Sequence, residues 1–137
     1  MRSFIAAIFI LMASGYAEAK DTEHARVVAQ VRLPPAPPDA RLIAVTIGAI
    51  HNPDRVPVSL RLELADAGST SAAPTLVGLV SLYPSDQPGR FIVRLPHAAG
   101  GRPMPHILIV TLIGQPGHPL DPRLTLGDVN AEWLPEP

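Results

Sequence analysis

The stretch "VPVSLRLELA" (residues 56–65) decides the fold class. Val58, Leu60, Leu62 and Leu64 alternate with Ser59, Arg61 and Glu63. That period of two gives a β-strand one apolar face and one wet face. Upstream, "RLIAVTIGAI" (residues 41–50) is apolar on both faces, as a central or covered strand is. Further upstream, "VVAQVR" (residues 27–32) is a first strand, followed by the polyproline-like connector "LPPAPPD" (residues 33–39). Downstream, the loop "ADAGSTSAAP" (residues 65–74) leads into "TLVGLVSLY" (75–83), "RFIVRL" (90–95) and "HILIVTLI" (106–113). Between these, "PSDQPG" and "PHAAGGRPMP" carry the Gly, Pro and Asp residues that reverse a chain.

The last strand, "LTLGDVNAEWL" (residues 124–134), changes phase. Leu124 and Leu126 share one face, but Val129, Ala131 and Trp133 continue one residue out of step. A bulge at Gly127-Asp128 would return every apolar side chain to one side. The chain holds 17 Pro and 10 Gly in 137 residues, which leaves no room for long helices. Short strands at even spacing, without any strand–helix–strand rhythm, predict an all-β fold. The expected architecture is an antiparallel β-sandwich or barrel of about seven short strands behind an N-terminal signal helix.

The first residues read as an address. A short basic start, Met1-Arg2-Ser3, precedes the apolar run "FIAAIFILMA" (residues 4–13), and Ala17-Glu18-Ala19 supplies a small-x-small cleavage pattern. The run is too short to span a bilayer, so a cleaved signal peptide over residues 1–19 is expected. The mature chain would then begin near Lys20, with an N-terminal strand and Pro-rich connector over 20–40 and a β-sandwich domain over 41–137. This predicts a periplasmic or secreted protein with no membrane attachment after cleavage. The chain has no Cys, so an exported domain of this kind draws its stability from burial rather than disulfides. The net charge is −1, and the basic residues, all Arg except Lys20, are scattered along the chain. Scattered charge gives no footprint for nucleic acid or anionic lipid.

Candidate chemistry is sparse. Of five histidines (His24, His51, His97, His106 and His118), no two have the spacing that sets two imidazoles on one helix turn or on alternate strand positions. The nearest approach to a metal site is His97, Met104 and His106, in "PHAAGGRPMPH" (residues 96–106). A thioether with imidazoles suits Cu(I). The same residues also fit the polar end of a hairpin, because His97 and His106 each follow a Pro at the edge of a turn, where a half-exposed polar residue belongs. There is no GxSxG elbow, no thiol and no Gly-rich phosphate loop. Asp54, Asp66, Asp86, Asp121 and Asp128 fall in loops or at the bulge, where Asp is favoured for local hydrogen bonds. A stand-alone enzyme is not expected. Trp133 is expected to cap one end of the core, and the Tyr83 hydroxyl to reach water or a turn carbonyl.

The strand-by-strand pattern resembles a known family. "APTLVGLVSLYPSDQPGRFIVRLP" (residues 73–96), with Val77, Gly78, Ser81 and Tyr83 at the matching positions, is similar to the C-terminal β-sandwich domain that follows the copper core in tyrosinases and polyphenol oxidases. "HILIVTLIGQPG" (106–117) and "RLTLGDVNAEWL" (123–134) look like that domain's last two strands. "VTIGAIHNPDRVPVSLRLELADAG" (45–68) looks like its first strand, loop and second strand. The resemblance spans residues 41–134 and rests on short hydrophobic motifs. The chain departs from the family by lacking the aromatic residues and terminal Asn usual in the second strand, and by lacking the six-histidine copper core. No copper ligand or catalytic residue therefore carries over.

What the resemblance implies is a non-catalytic exported binding or accessory domain without a cofactor, shielding or assisting a type-3 copper oxidase partner. Two other readings stand beside it. One is a periplasmic copper-binding or copper-delivery protein using His97, Met104 and His106. The other is a structural domain of an envelope assembly.

Overall fold

The computed structural model describes residues 24–68, 73–96 and 105–135. The segment read as a signal peptide lies outside them, as do His97 and Met104. Seven strands appear in the described chain: β1 (Ala25–Leu33), β2 (Ala40–His51), β3 (Val58–Asp66), β4 (Thr75–Ser81), β5 (Gly89–Arg94), β6 (His106–Gly114) and β7 (Thr125–Pro135). They form two antiparallel sheets, one of four strands in the order β1-β6-β3-β4 and one of three in the order β5-β2-β7. The all-β expectation holds, and of its two architectures the sandwich is the one observed. No described helix is long and apolar enough to cross a membrane.

The alternation in β3 sets the register of the larger sheet. Leu60, Leu62 and Leu64 stand opposite Leu112, Val110 and Leu108 of β6, and all six are buried. Val31 and Leu33 of β1 extend this inner layer, while Ile43, Val45 and Ile47 of β2 with Val129 of β7 supply the facing one. Two inner faces interdigitating in this way make one core. The two interior strands of the larger sheet are also covered outside. Ile109 and Thr111 of β6 and Glu63 and Ala65 of β3 face away from the core yet are buried. Two-sided burial is what the near-continuous apolar run of β6 predicts.

Only one connection joins neighbours in one sheet, the β3–β4 hairpin; every other link passes from one sheet to the other. β5 and β6, the strands on either side of "PHAAGGRPMP", lie in different sheets and so do not form a hairpin; residues 97–104 of that segment lie outside the described residues.

The phase slip in β7 has a two-sided origin. Asp128 adopts a positive φ of 44°. Its position faces Gly48 of β2, and that pair is missing from the ladder between Ile47↔Val129 and Ala49↔Gly127. The register is the same on both sides of the gap, so no extra residue is inserted. Both strands kink together: the inward series of β2 moves from Ile47 to Ile50 as that of β7 moves from Leu126 to Val129. A one-sided bulge at Gly127-Asp128 was the expectation; a matched kink is the finding. Gly48 lets the two strands come close there, since a Cβ at that position would lie 3.2 Å from the Asp128 Cβ, tighter than ordinary contact. A left-handed backbone on a non-Gly residue is best tolerated by Asp or Asn.

Candidate functional site

The two ends and two long sides of the sandwich place the candidate residues in four different settings. At one end sits His106, the first residue of β6. It lies between Leu33 of β1 and Asp66 of β3 in the ladder, in phase with the inward Leu108 and Val110. Its side chain is 2% exposed, and its Nε2 stands 3.4 Å from Oδ1 of Asp66. The Trp133 ring from the opposite sheet meets it edge-on, 5.7 Å between centroids at 78°. The Trp133 indole N–H donates to the Pro34 carbonyl at 2.8 Å. The Ala67 amide donates to the Pro105 carbonyl at 3.0 Å, drawing together the chain on either side of the Asp66–His106 pair.

This corrects the sequence reading of His106. At the turn-edge start of the strand a half-exposed residue was expected; the strand does begin at His106, but parity turns its side chain into the core. Asp66 is likewise the last residue of β3 rather than part of the loop. A buried imidazole needs a polar partner, and Asp66 supplies one. Among the described residues no three His, Cys, Asp or Glu side chains converge to hold a metal ion. His51 and His118 are exposed and remote from His106 in the fold, at the end of β2 and in the β6–β7 connection.

The opposite end is polar and crosslinked. Asn52 is 3% exposed. Its Nδ2 donates to the carbonyls of Val56 and Ser85, both at 3.0 Å, and its Oδ1 accepts from the Val56 amide at 3.2 Å. This side chain ties the β2–β3 turn to the β4–β5 connection. Arg123 donates to Asp54 at 2.6 Å and to Asp121 at 2.9 Å, while Asp121 also caps the Arg123 amide at 2.9 Å. Hydrogen bonding from Arg123, then its positive charge, holds the Asp121 carboxyl below the usual aspartate range, and Asp121 raises Arg123 in turn. Arg55 pairs with Asp86 at 3.1 Å. These carboxylates serve loop and turn geometry, as their placement in the sequence implied. The role of Asn52 was not read from the sequence, although "NPD" at 52–54 is a turn signature that pointed to it.

The long sides differ more. On the β1/β7 side, Arg26 of β1 donates to the carbonyl of Leu124 at 2.6 Å and to that of Asp121 at 3.4 Å, reaching across to the other sheet's chain. With the Trp133–Pro34 bond, this fastens β1 to β7 at both ends. The β4/β5 side is marked instead by close packing. The inner faces simply approach, and a Cβ on Gly78 would stand 3.1 Å from Cγ1 of Val93.

The exposed large apolar side chains of the described chain are Leu76 and Leu79 on β4 and Tyr83 just after it, with Ile92 on the outer face of the other sheet. Leu79 stands opposite the outward Arg61, and Leu76 opposite Glu63, so both leucines point away from the core. Tyr83 is 94% exposed. Single exposed apolar residues are ordinary, whereas several on one side mark an interaction surface. Sequence reading placed Leu76 and Leu79 in a strand but did not single them out, because only the pairing of β4 at the sheet edge reveals that their face is uncovered. No protein-family model matches the chain, and no curated protein or solved structure matches it.

Proposed function

We propose that this chain is a non-catalytic exported binding or accessory domain that docks on a separate protein, with a type-3 copper oxidase as the partner that the family resemblance points to. The observation that supports docking is the exposure of Leu76 and Leu79 on the outer face of β4, with Tyr83 exposed just beyond the strand. Aromatic and apolar anchors of this kind carry most of the energy of protein–protein contacts. The copper-delivery reading has less support, because His106 is turned into the core between Leu33, Asp66 and Trp133.

The test is capture from the exported fraction of the source cells, with the captured protein sequenced. Wild-type chain is expected to retain an oxidase bearing paired HxxxH motifs, and the double variant Leu76→Lys with Tyr83→Ala to release it. Recovery of the free chain alone, or equal capture by the double variant, would overturn the proposal.

A further inference from the structure

Four strands lie at sheet edges: β1 and β4 in the larger sheet, β5 and β7 in the smaller. An edge strand presents unpaired N–H and C=O groups, and proteins commonly guard it with charge, bulges or twist. Three of the four are guarded. β1 carries Arg26 and Arg32 and a register shift between Val27 and Ala29. β7 carries Asp128 and Glu132, with the left-handed kink at Asp128. β5 carries Arg90 and Arg94, which an antiparallel copy of itself would set against each other. The sequence of β4, "TLVGLVS", has no charged residue and no Pro.

We infer that the edge of β4, which no described strand pairs on its outer side, is a docking surface for a second copy of this chain, joined antiparallel through β4 itself. Charge supports this occupant. A strand paired to β4 meets no ion to complement, so an uncharged strand fits best, and β4 is the one uncharged edge strand among the described residues. Self-pairing across a two-fold axis is isologous, so one uncharged surface serves both copies. The β4 ladder to β3 is irregular at Val77, which confines the new pairing to the stretch beyond it.

A two-fold axis near Val80 sets residues 78–82 of the copies opposite each other. Both Leu79 side chains then lie on one outward face, and the two four-stranded sheets become one. Leu79 is 65% exposed in the single chain, so this contact removes apolar surface from water. A pairing this short buries less than the roughly 1,200–2,000 Å² of a standard stable interface. The dimer is accordingly concentration-dependent. The inference goes beyond the proposed partner docking, which shares the outer face of β4, and is told apart from it because sedimentation is run on the chain alone; Ile92, on the other sheet, takes no part in the pairing and serves as the control.

Sedimentation equilibrium on the wild-type chain, Leu79→Lys and Ile92→Lys, with circular dichroism to confirm folding, tests it. Expected are a reversible monomer–dimer equilibrium for wild type and Ile92→Lys, and at least tenfold weaker association for folded Leu79→Lys. A wild type that stays monomeric across the accessible concentrations overturns the inference. So does a Leu79→Lys variant that dimerises as wild type does, or equal weakening by Ile92→Lys, which would mean unspecific apolar association. Should Leu79→Lys fail to fold, Leu79→Thr, which keeps β-propensity and removes the apolar contact, is read the same way.

Discussion

The two long sides of the sandwich are made of the same kind of element and are closed in opposite ways. On the β1/β7 side, long side chains reach from one sheet's chain to the other: Arg26 to the Leu124 carbonyl and Trp133 to the Pro34 carbonyl. On the β4/β5 side the inner faces approach closely, at Gly78 and Val93. The first arrangement spends its polar groups on internal bonds and leaves little for a partner. The second leaves backbone, leucines and a tyrosine facing outward. Stability and recognition are thus assigned to different sides of one small domain.

Substitutions break or sharpen that contrast. The largest effect is expected at Leu33, fully buried on β1 opposite His106. Leu33→Ala should cost about 3 kcal/mol through lost burial and the cavity left behind, read as a lowered midpoint in urea denaturation. Next comes Trp133→Ala, which removes the ring against His106 and the bond to Pro34, at about 2 kcal/mol. Trp133→Phe should recover about half of that, since the apolar ring returns without the N–H donor. Arg26→Ala, which leaves the Leu124 carbonyl without its charged donor, should cost about 1.5 kcal/mol.

A smaller and pH-dependent effect belongs to Asp121. Its carboxyl titrates lower in the folded chain than in the unfolded one because Arg123 favours the charged form. Its contribution is therefore present at neutral pH and lost as the pH falls through the lowered folded value. Asp121→Asn should flatten that part of the acid limb when denaturation midpoints are followed against pH. The smallest effect is expected on the open side. Leu79→Lys should change stability by less than about 0.5 kcal/mol, as surface substitutions do. A large loss there would mean that the β4/β5 side carries structural weight and would erase the contrast.

Much of the fold was legible because its signals are local. The alternation of Val58, Leu60, Leu62 and Leu64 needs no tertiary context to mark a strand. The Gly- and Pro-rich breaks between apolar runs bounded β4, β5 and β6 to within two residues at either end. The phase change in β7 was visible too, but its matched partner at Gly48 was not, because a lone Gly in a strand does not say which residue it will face. The candidate metal residues show the limit from the other direction. The proline before it made His106 look half-exposed at the edge of a turn, while its side-chain direction was set by strand parity and by Asp66 and Trp133, distant in sequence.

By itself the sequence determined the strand content, the period-two faces and the absence of Cys crosslinks, since each depends on residue identity and near neighbours alone. Tertiary structure decided which strands became edges, which connection closed a hairpin and which crossed between sheets. Those outcomes turned uncharged β4 into an uncovered edge and charged β1 and β7 into a closed seam. The physical reason is that pairing partners are chosen by the burial of whole faces, summed over strands far apart in the chain, and no single segment carries that sum.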